Sequence, residues 1–166
     1  MPLCRKTSAV ALGSNLGDPL ELLSTAAQAL QELAAPGSFR CSPLFRTAPV
    51  GGPADQPDFI NAVVLLDWQH TPEQLLEQLQ ELEAAAGRQR LIVNGPRSLD
   101  LDLLWWGGLQ LQSSELELPH PRWRERAFVL APLVALNAGF QSQLEQVLIG
   151  EQQPPLLMAP RAGWAG

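Results

Sequence analysis

The sequence has little of several features that define common classes of protein. Only 2 cysteines occur in 166 residues, too few for a disulfide framework, and this favours a reducing compartment. Basic residues number 11 against 17 acidic ones, which gives a net charge of −6. A negatively charged protein repels the phosphates of a nucleic acid, so we expect no nucleic-acid partner. A polyphosphate site would therefore need locally placed arginines and metal ions.

Long apolar runs are also missing. The longest, Ala127 to Leu136, is interrupted by Pro132 and is far shorter than the span of about 18 residues that crosses a membrane. Arg5 and Lys6 precede only a very short apolar patch, which does not make a signal peptide. We therefore expect a cytoplasmic protein with no membrane partner.

The length and the hydrophobic content of 46% fit one domain, and the sequence contains no internal repeats. We expect residues 1–166 to form this single domain, with a core over about residues 7–136. The Gln-, Pro- and Gly-rich tail from about Gly150 is expected to be poorly ordered.

The order of predicted elements is strand, helix, strand, strand, helix, strand. The first three strands cover Thr7–Leu12, Cys41–Thr47 and Phe59–Trp68, and the fourth carries Asp100 and Asp102. Asp18 and Thr71 are expected to cap the two helices, and Gly87 to end the second one. A weak strand at Leu109–Gln112 and a helix over Glu125–Leu136, kinked or stopped early by Pro132, would follow. This order predicts an α+β ferredoxin-like sandwich: a βαββαβ core, a mostly antiparallel sheet and extra C-terminal elements.

Two carboxylates interrupt the fourth strand. Asp100 and Asp102 share one face because strand side chains alternate, and their Cα atoms should lie about 6 to 7 Å apart. Both acids can therefore reach one small cation or a pair of cations. A solvated polar face is the alternative, but unpaired charge on so apolar a strand is costly.

Most of the positive charge is predicted to gather near these acids. The arginines concerned are Arg88, Arg90, Arg97, Arg122, Arg124 and Arg126, and the last three cluster near His120 in the sequence. Solvated surface arginine is the alternative interpretation. Carboxylates and arginines together suit a polyphosphate that carries Mg²⁺, with the acids on the metal and the arginines on phosphate oxygens.

Two other stretches carry weaker signals. Gly13-Ser14-Asn15 lies between a strand and a helix but lacks the pattern of a phosphate loop, so we interpret it as a tight turn. Phe59 and Asn61 point to one face and can offer a ring and an amide to a flat heterocycle. A core phenylalanine and a strand-end asparagine explain the same pattern equally well.

Taken together, these motifs resemble a known enzyme family, 6-hydroxymethyl-7,8-dihydropterin pyrophosphokinase. The resemblance covers roughly residues 7–136 and rests on five stretches in fixed order. They are ALGSNLGD (Ala11 to Asp18), RTAPVGGPADQPDFINAV (Arg46 to Val63), AAAGRQR (Ala84 to Arg90), GPRSLDLDLLWWG (Gly95 to Gly107) and LPHPRWRERAFVLAPL (Leu118 to Leu133). The resemblance implies a ferredoxin-like fold and transfer of pyrophosphate from ATP to the hydroxymethyl group of the pterin, with release of AMP.

The resemblance also implies roles for residues on the phosphate side of the site. It places two Mg²⁺ ions on Asp100 and Asp102, and it gives Arg88 and Arg97 the task of closing over the phosphates. The catalytic set implied is therefore these four residues. His120 and Arg126 match contacts to the nucleotide or its phosphates.

On the pterin side, the resemblance assigns two rings and an amide. Phe59 and Phe128 match the rings that sandwich the pterin, and Asn61 matches its amide partner. Thr47 and Val50 match loop positions whose backbone borders the pterin. Glu83 and Arg90 match the family without an assignable role.

The sequence departs from the family pattern at a few positions. Val93 and Asn94 stand where the family often has a basic residue and a Trp, and Glu115 and Glu117 stand where it often has neutral or basic residues. Two alternatives therefore stay open: another two-metal phosphotransferase or hydrolase, and a catalytically silent ligand-binding module of the same fold. For the enzyme we expect a monomer whose partners are its small-molecule substrates.

Overall fold

The computed structural model describes residues 6–49, 55–87 and 98–164. Its strands are β1 (Lys6–Ser14), β2 (Arg40–Cys41), β3 (Phe45–Thr47), β4 (Phe59–Trp68), β5 (Asp100–Trp106), β6 (Leu111–Gln112), β7 (Glu117–Leu118) and β8 (Leu156–Leu157). Its α-helices are α1 (Pro19–Leu33), α2 (Pro72–Ala85), α3 (Ala127–Leu136) and α4 (Gln141–Leu148). Within these ranges no helix is both long and apolar enough to cross a membrane.

The main sheet has the strand order β5-β1-β4-β3-β8, and β2 pairs with β4 beside this path. Every pairing in it is antiparallel, and β6 and β7 form a separate two-stranded sheet. With β2 and β3 counted together, the core runs βαββαβ along the chain. The α+β ferredoxin-like fold expected from the sequence is confirmed.

Helices cover both faces of this sheet. On one face, α1 and α2 pack over a cluster that includes Val10 and Leu12 of β1. On the other, α3 packs over a second cluster that includes Ala9 and Ala11 of the same strand. Because both faces are covered, β1 and β4 are nearly continuous apolar runs rather than alternating ones. The second face, under α3, is called the α3 face below.

The helix starts predicted from the sequence are confirmed. The Asp18 carboxylate accepts a hydrogen bond from the backbone N–H of Glu21, and Thr71 forms a reciprocal capping box with Gln74. Gly87 follows α2 with a φ of +78°, a conformation that glycine adopts without a Cβ penalty.

The stretch expected to be one strand, Cys41–Thr47, is two. Pro43 has no N–H to give to a ladder, so the chain leaves the sheet between β2 and β3. The Ser42 hydroxyl instead accepts a hydrogen bond from Val63 N–H at 2.9 Å, which ties the break to β4. The weak strand predicted at Leu109–Gln112 is likewise shortened to β6.

The third helix begins two residues later than predicted and ends at Leu136, as predicted. A 3₁₀ turn occupies Trp123–Glu125, and α3 then continues through Pro132 to Leu136. A proline inside a helix costs about 3 kcal/mol through its missing hydrogen bond and its ring clash. Burial of Val129, Leu130 and Leu133 against the sheet offsets that cost.

The tail is ordered where disorder was expected. Leu156 and Leu157 pair with β3 as strand β8, and Met158 N–H donates to the carbonyl of Leu44 at 2.9 Å. The indole N–H of Trp164 donates to the Ser42 carbonyl at 2.9 Å, and its ring packs against the α1 and α2 cluster. The polar, Pro-rich tail folds because it pairs with the otherwise open edge of β3. This edge gives the tail backbone hydrogen-bond partners that its composition does not reveal.

Candidate active site

The site residues lie in a row across the centre of the sheet. In β5, Asp100 is opposite Gly13 of β1, and Gly13 is opposite Asn61 of β4. Cross-strand partners project to the same face of a sheet, so the side chains of Asp100 and Asn61 both rise on the α3 face with a glycine between them.

Asp102 lies one step further along the same face. Its partner in β1 is Ala11, which belongs to the α3-face cluster, whereas Leu101 and Leu103 belong to the opposite cluster. The predicted alternation of acids and leucines is therefore observed. Asp100 and Asp102 are both half-buried, and one carboxylate oxygen of Asp100, Oδ1, is itself shielded from solvent.

Arg126 contacts this acid pair at Asp102. Its guanidinium lies 3.7 Å from the Asp102 carboxylate, and the same group stands 5.5 Å from the ring centroid of Phe128. Arg126 is also the residue from which α3 begins. The helix start thus places a cation and an aromatic ring beside the acids.

His120 is held at the edge of β5. Its backbone N–H donates to the Leu104 carbonyl at 2.7 Å, and its Nδ1 accepts from the Arg122 N–H at 3.1 Å. Desolvation by burial lowers the pKa of the imidazole, although the nearby Asp102 carboxylate opposes that shift. A neutral ring whose Nδ1 accepts carries its proton on Nε2, so the ring can donate from that atom to a ligand.

The residues assigned to the pterin lie on the other side of Gly13. Thr47 pairs with Phe59 at the end of β3, and the Asn61 amide donates to the Thr47 hydroxyl. Thr47 and Asn61 are each only 6% exposed, whereas Phe59 is half-buried. The interpretation of Phe59 as an ordinary core residue is therefore not supported, and Asn61 lies two residues inside β4 rather than at its end.

Glu83 contacts the backbone of β5, the strand that carries the two aspartates. It lies on α2, is 6% exposed, and its carboxylate accepts a hydrogen bond from the Leu101 N–H at 3.0 Å. Leu101 separates the two aspartates along β5. Glu83 therefore holds the backbone that carries the acids.

Four predicted site residues lie outside the described residues. They are Val50, Arg88, Arg90 and Arg97. The described residues bring the other predicted members together on the α3 face, apart from Glu83, which contacts the backbone of β5.

The sequence did not reveal what Gly13 and Asn15 do in the structure. Asn15 is 3% exposed and its amide donates to the Gln56 side chain at 3.1 Å and to the Pro57 carbonyl at 2.9 Å. It thus fastens the end of β1 to the segment that leads into Phe59. The tight turn predicted at Gly13-Ser14-Asn15 is wrong for Gly13 and Ser14, because both belong to β1 and pair across the sheet.

The arrangement suits a metal-bound polyphosphate next to a flat heterocycle. Magnesium in proteins is commonly bound by one or two carboxylates and completed by substrate phosphates and water, and Asp100 and Asp102 supply that donor set. The guanidinium of Arg126 and the Nε2–H of His120 can serve phosphate or nucleotide atoms. On the far side of Gly13, the amide of Asn61 and the ring of Phe59 suit a planar ring with polar edges.

Comparison with known proteins identifies a family. The family model described as 7,8-dihydro-6-hydroxymethylpterin-pyrophosphokinase matches residues 9–138. The chain is 45% identical over 127 residues to a protein of Pseudomonas aeruginosa named 2-amino-4-hydroxy-6-hydroxymethyldihydropteridine pyrophosphokinase, covering 76% of this chain and 78% of the relative. It is 40% identical over 142 residues to a protein of the same name from Haemophilus influenzae, covering 86% and 88%.

Solved structures show the same fold. A crystal structure of wild-type Plasmodium falciparum HPPK-DHPS with STZ-DHP superposes with a TM-score of 0.63 at 14% identity, covering 89% of this chain. The matched region is 43% of that longer chain, so this chain spans less than half of it. At this identity the likeness shows the fold alone.

Proposed function

This chain belongs to the 7,8-dihydro-6-hydroxymethylpterin-pyrophosphokinase family, and from that membership we propose how its residues divide the work of the reaction. It is an ATP-dependent enzyme of folate biosynthesis that transfers the pyrophosphoryl group of ATP to hydroxymethyldihydropterin. The observation that carries the division of roles is the row across β5, β1 and β4, with acids on one side of Gly13 and Asn61 on the other.

The reaction forms one bond and breaks one bond at the β-phosphorus of ATP. The hydroxymethyl oxygen attacks that phosphorus in line, the bond to the oxygen that bridges the α- and β-phosphates breaks, and AMP leaves. The hydroxyl proton is lost to solvent or to a phosphate oxygen. Transfers of this kind depend chiefly on positioning and on neutralising charge, so the site need not supply a strong base.

Asp100 and Asp102 would hold Mg²⁺, with two ions expected. Bound there, the metal would neutralise phosphate charge and orient the triphosphate. The acids themselves are held in place by β1 on one side of β5 and by the Glu83 carboxylate on the other.

Hydrogen-bond donors complete the phosphate side of the site. Arg126 and His120 would bind the nucleotide or its phosphates, because a guanidinium and a neutral imidazole N–H both donate to phosphate oxygens. Arg88 and Arg97 would close over the phosphates and stabilise the transferring group, as the family motifs they belong to suggest. Both lie outside the described residues.

The pterin would occupy the far side of Gly13. Asn61 would pair with its polar edge, with Phe59 and Phe128 on its two faces and the backbone at Thr47 and Val50 along its border. The hydrogen bond from Asn61 to Thr47 supports this, since it fixes the amide before the substrate arrives.

We also propose that the enzyme works as a monomer in the cytoplasm. All of the proposed site residues come from one chain, and the low cysteine count suits a reducing compartment. A sedimentation experiment that found a stable dimer at enzymatic concentrations would contradict the first statement.

The decisive assay mixes the protein with ATP, Mg²⁺ and hydroxymethyldihydropterin and follows nucleotide products by chromatography. We expect one AMP for each pterin diphosphate formed, and no AMP when the pterin is left out. Release of ADP or inorganic phosphate would instead indicate another two-metal phosphotransferase or hydrolase. Calorimetric binding of the pterin without AMP formation would indicate a silent ligand-binding module.

A further inference from the structure

Gly13 occupies the middle of the site row without contributing a side chain. It lies in β1, is buried, and is the cross-strand partner of both Asp100 and Asn61. Glycine weakens a strand because it adds backbone freedom and packs nothing, and it often marks a close approach by another group. Gly13 therefore needs a physical reason to stand there.

Backbone conformation is not that reason. The glycines of this chain with a left-handed φ include Gly17, Gly37 and Gly87, which lie in turns, whereas Gly13 has regular strand pairing on both sides. An alanine could adopt the backbone of Gly13 without strain. The reason must be space.

That space is filled by the Asn61 amide. A Cβ atom added at Gly13 would lie 2.7 Å from Asn61 Oδ1 and 3.9 Å from a ring carbon of Phe59. Real Cβ atoms essentially never come within 3.0 Å of a heavy atom outside their own residue and its chain neighbours, so either the amide or the strand would have to move. Asn61 also donates to Thr47 and is 6% exposed, which leaves its side chain few other positions.

We propose that Gly13 is a positioning residue for the pterin: its missing side chain lets the Asn61 amide lean over β1 toward the aspartates. The inference rests on the proposed role of Asn61 in binding the pterin. In this position the amide oxygen stands between Thr47 and the acid-bearing strand, and the heterocycle that it binds is directed toward Asp100 and Asp102. The glycine thus sets the distance between the two halves of the site.

The first test is Gly13→Ala, measured by calorimetry with each substrate alone. We expect the Kd for hydroxymethyldihydropterin to rise about tenfold or more, the size of one lost hydrogen bond, while the Kd for ATP with Mg²⁺ changes less than about twofold. The matched control is Gly108→Ala in the turn after β5, where an added Cβ meets nothing within 4 Å. It should bind both substrates as the wild type does.

The second test is the double variant Gly13→Ala with Asn61→Ala. If Gly13 acts through Asn61, the double variant should bind the pterin no more weakly than Asn61→Ala alone. The double variant also lacks the clashing amide, so it should fold even if Gly13→Ala alone does not. A double variant that fails to fold, or that loses a further tenfold in pterin affinity, would overturn the proposal.

A third measurement separates the positioning from the proposed role of Asn61. In NMR spectra of the free protein, cross-relaxation between the Asn61 side-chain amide protons and the Thr47 side chain should be present in the wild type and in Gly108→Ala and lost in Gly13→Ala. Retention of that signal together with wild-type pterin affinity would sink the inference about Gly13. If Asn61→Ala binds the pterin normally while Gly13→Ala loses the signal, the positioning stands and the proposed pterin role of Asn61 fails.

Discussion

At the residue scale, the site consists of short polar side chains on strands that are otherwise apolar. Asp100, Asp102, Asn61 and Thr47 all rise on the α3 face, among residues such as Val63 and Leu104 that pack in its core. Polar groups in such surroundings are costly unless each has a partner. A bound ligand or a neighbouring side chain would supply that partner, and this explains why polar residues occur on this face.

Removing either acid should weaken nucleotide binding through the metal. We expect Asp100→Asn and Asp102→Asn each to weaken Mg²⁺-dependent ATP binding by about 10- to 100-fold, because an amide is a neutral and poorer metal ligand. Calorimetry with and without Mg²⁺ measures the effect. The control is Asp67→Asn in β4, where an amide oxygen can still accept the hydrogen bond from Thr7. Full metal-dependent binding by both variants would show that the acids are structural.

His120 should give the free energy of unfolding a pH dependence of known sign. Burial lowers its pKa in the folded state; the charges that face it are Asp102 and Glu117, which oppose the shift, and Arg126 and Arg122, which add to it. The folded protein then binds fewer protons than the unfolded chain, so this contribution is full above about pH 6.5 and is lost as the pH falls.

Two measurements check this. An NMR titration should place the midpoint of His120 below about 6.5, and Asp102→Asn should lower it further because an opposing carboxylate is gone. Denaturation at several pH values should show a flatter acid limb for His120→Gln than for the wild type. A midpoint above the ordinary value for histidine would contradict the burial argument.

The sequence predicted the acids better than it predicted their neighbours. Strand alternation alone places Asp100 and Asp102 on one face, and that local rule held. Asn15 was missed because its partners, Gln56 and Pro57, lie 41 and 42 residues away. Gly13 was missed because its effect is a contact with Asn61 across the sheet, and no local pattern encodes such a contact.

At the element scale, caps and turns give the reliable signals, and packing decides the rest. The capping box at Thr71 and the carboxylate cap at Asp18 were visible in the sequence and are observed. Pro132 was expected to disturb α3, yet burial of that helix outweighs the local preference. The tail was misjudged for the same reason, because β3 offers it partners that composition does not reveal.

Trp164 should fasten the tail to the body of the protein. We expect Trp164→Ala to lower the free energy of unfolding by about 2 kcal/mol, less than for a fully buried aromatic because the ring is half-buried. Trp164→Phe should lose less, since it keeps a ring and gives up only the hydrogen bond to the Ser42 carbonyl.

Urea denaturation measures these differences. The matched control is Leu156→Ala in β8, whose side chain is 62% exposed and whose loss should cost under about 0.5 kcal/mol. If Trp164→Ala is as stable as Leu156→Ala, the contacts of the Trp164 side chain contribute nothing measurable to the stability of the fold.

At the scale of the whole molecule, an acidic protein has to bind an acidic substrate. The net charge is −6, and a triphosphate brings further negative charge to a site that already contains two carboxylates. Local cations can offset this repulsion only within about a Debye length, roughly 8 Å at physiological salt. We therefore expect ATP to bind well only when a divalent metal is present.

Removal of the metal should accordingly stop the reaction. With excess EDTA we expect AMP formation to cease and ATP affinity to fall at least tenfold, a change of about 1.4 kcal/mol or more. Added Mg²⁺ should restore both, whereas NaCl at the same ionic strength should restore neither, because screening does not bridge carboxylate and phosphate. Turnover at the full rate in EDTA would refute the requirement.

The course of β1 has a practical consequence for handling the protein. The strand enters the sheet at Lys6 and reaches the site only at Gly13, and these two residues are about 23 Å apart at the usual rise of a strand. The C-terminal strand β8, in contrast, lies against β3, which ends at Thr47. A purification tag, dye or surface linker attached ahead of Lys6 is therefore a suitable choice for measurements of substrate binding, whereas one attached after Trp164 would follow the segment that pairs with β3.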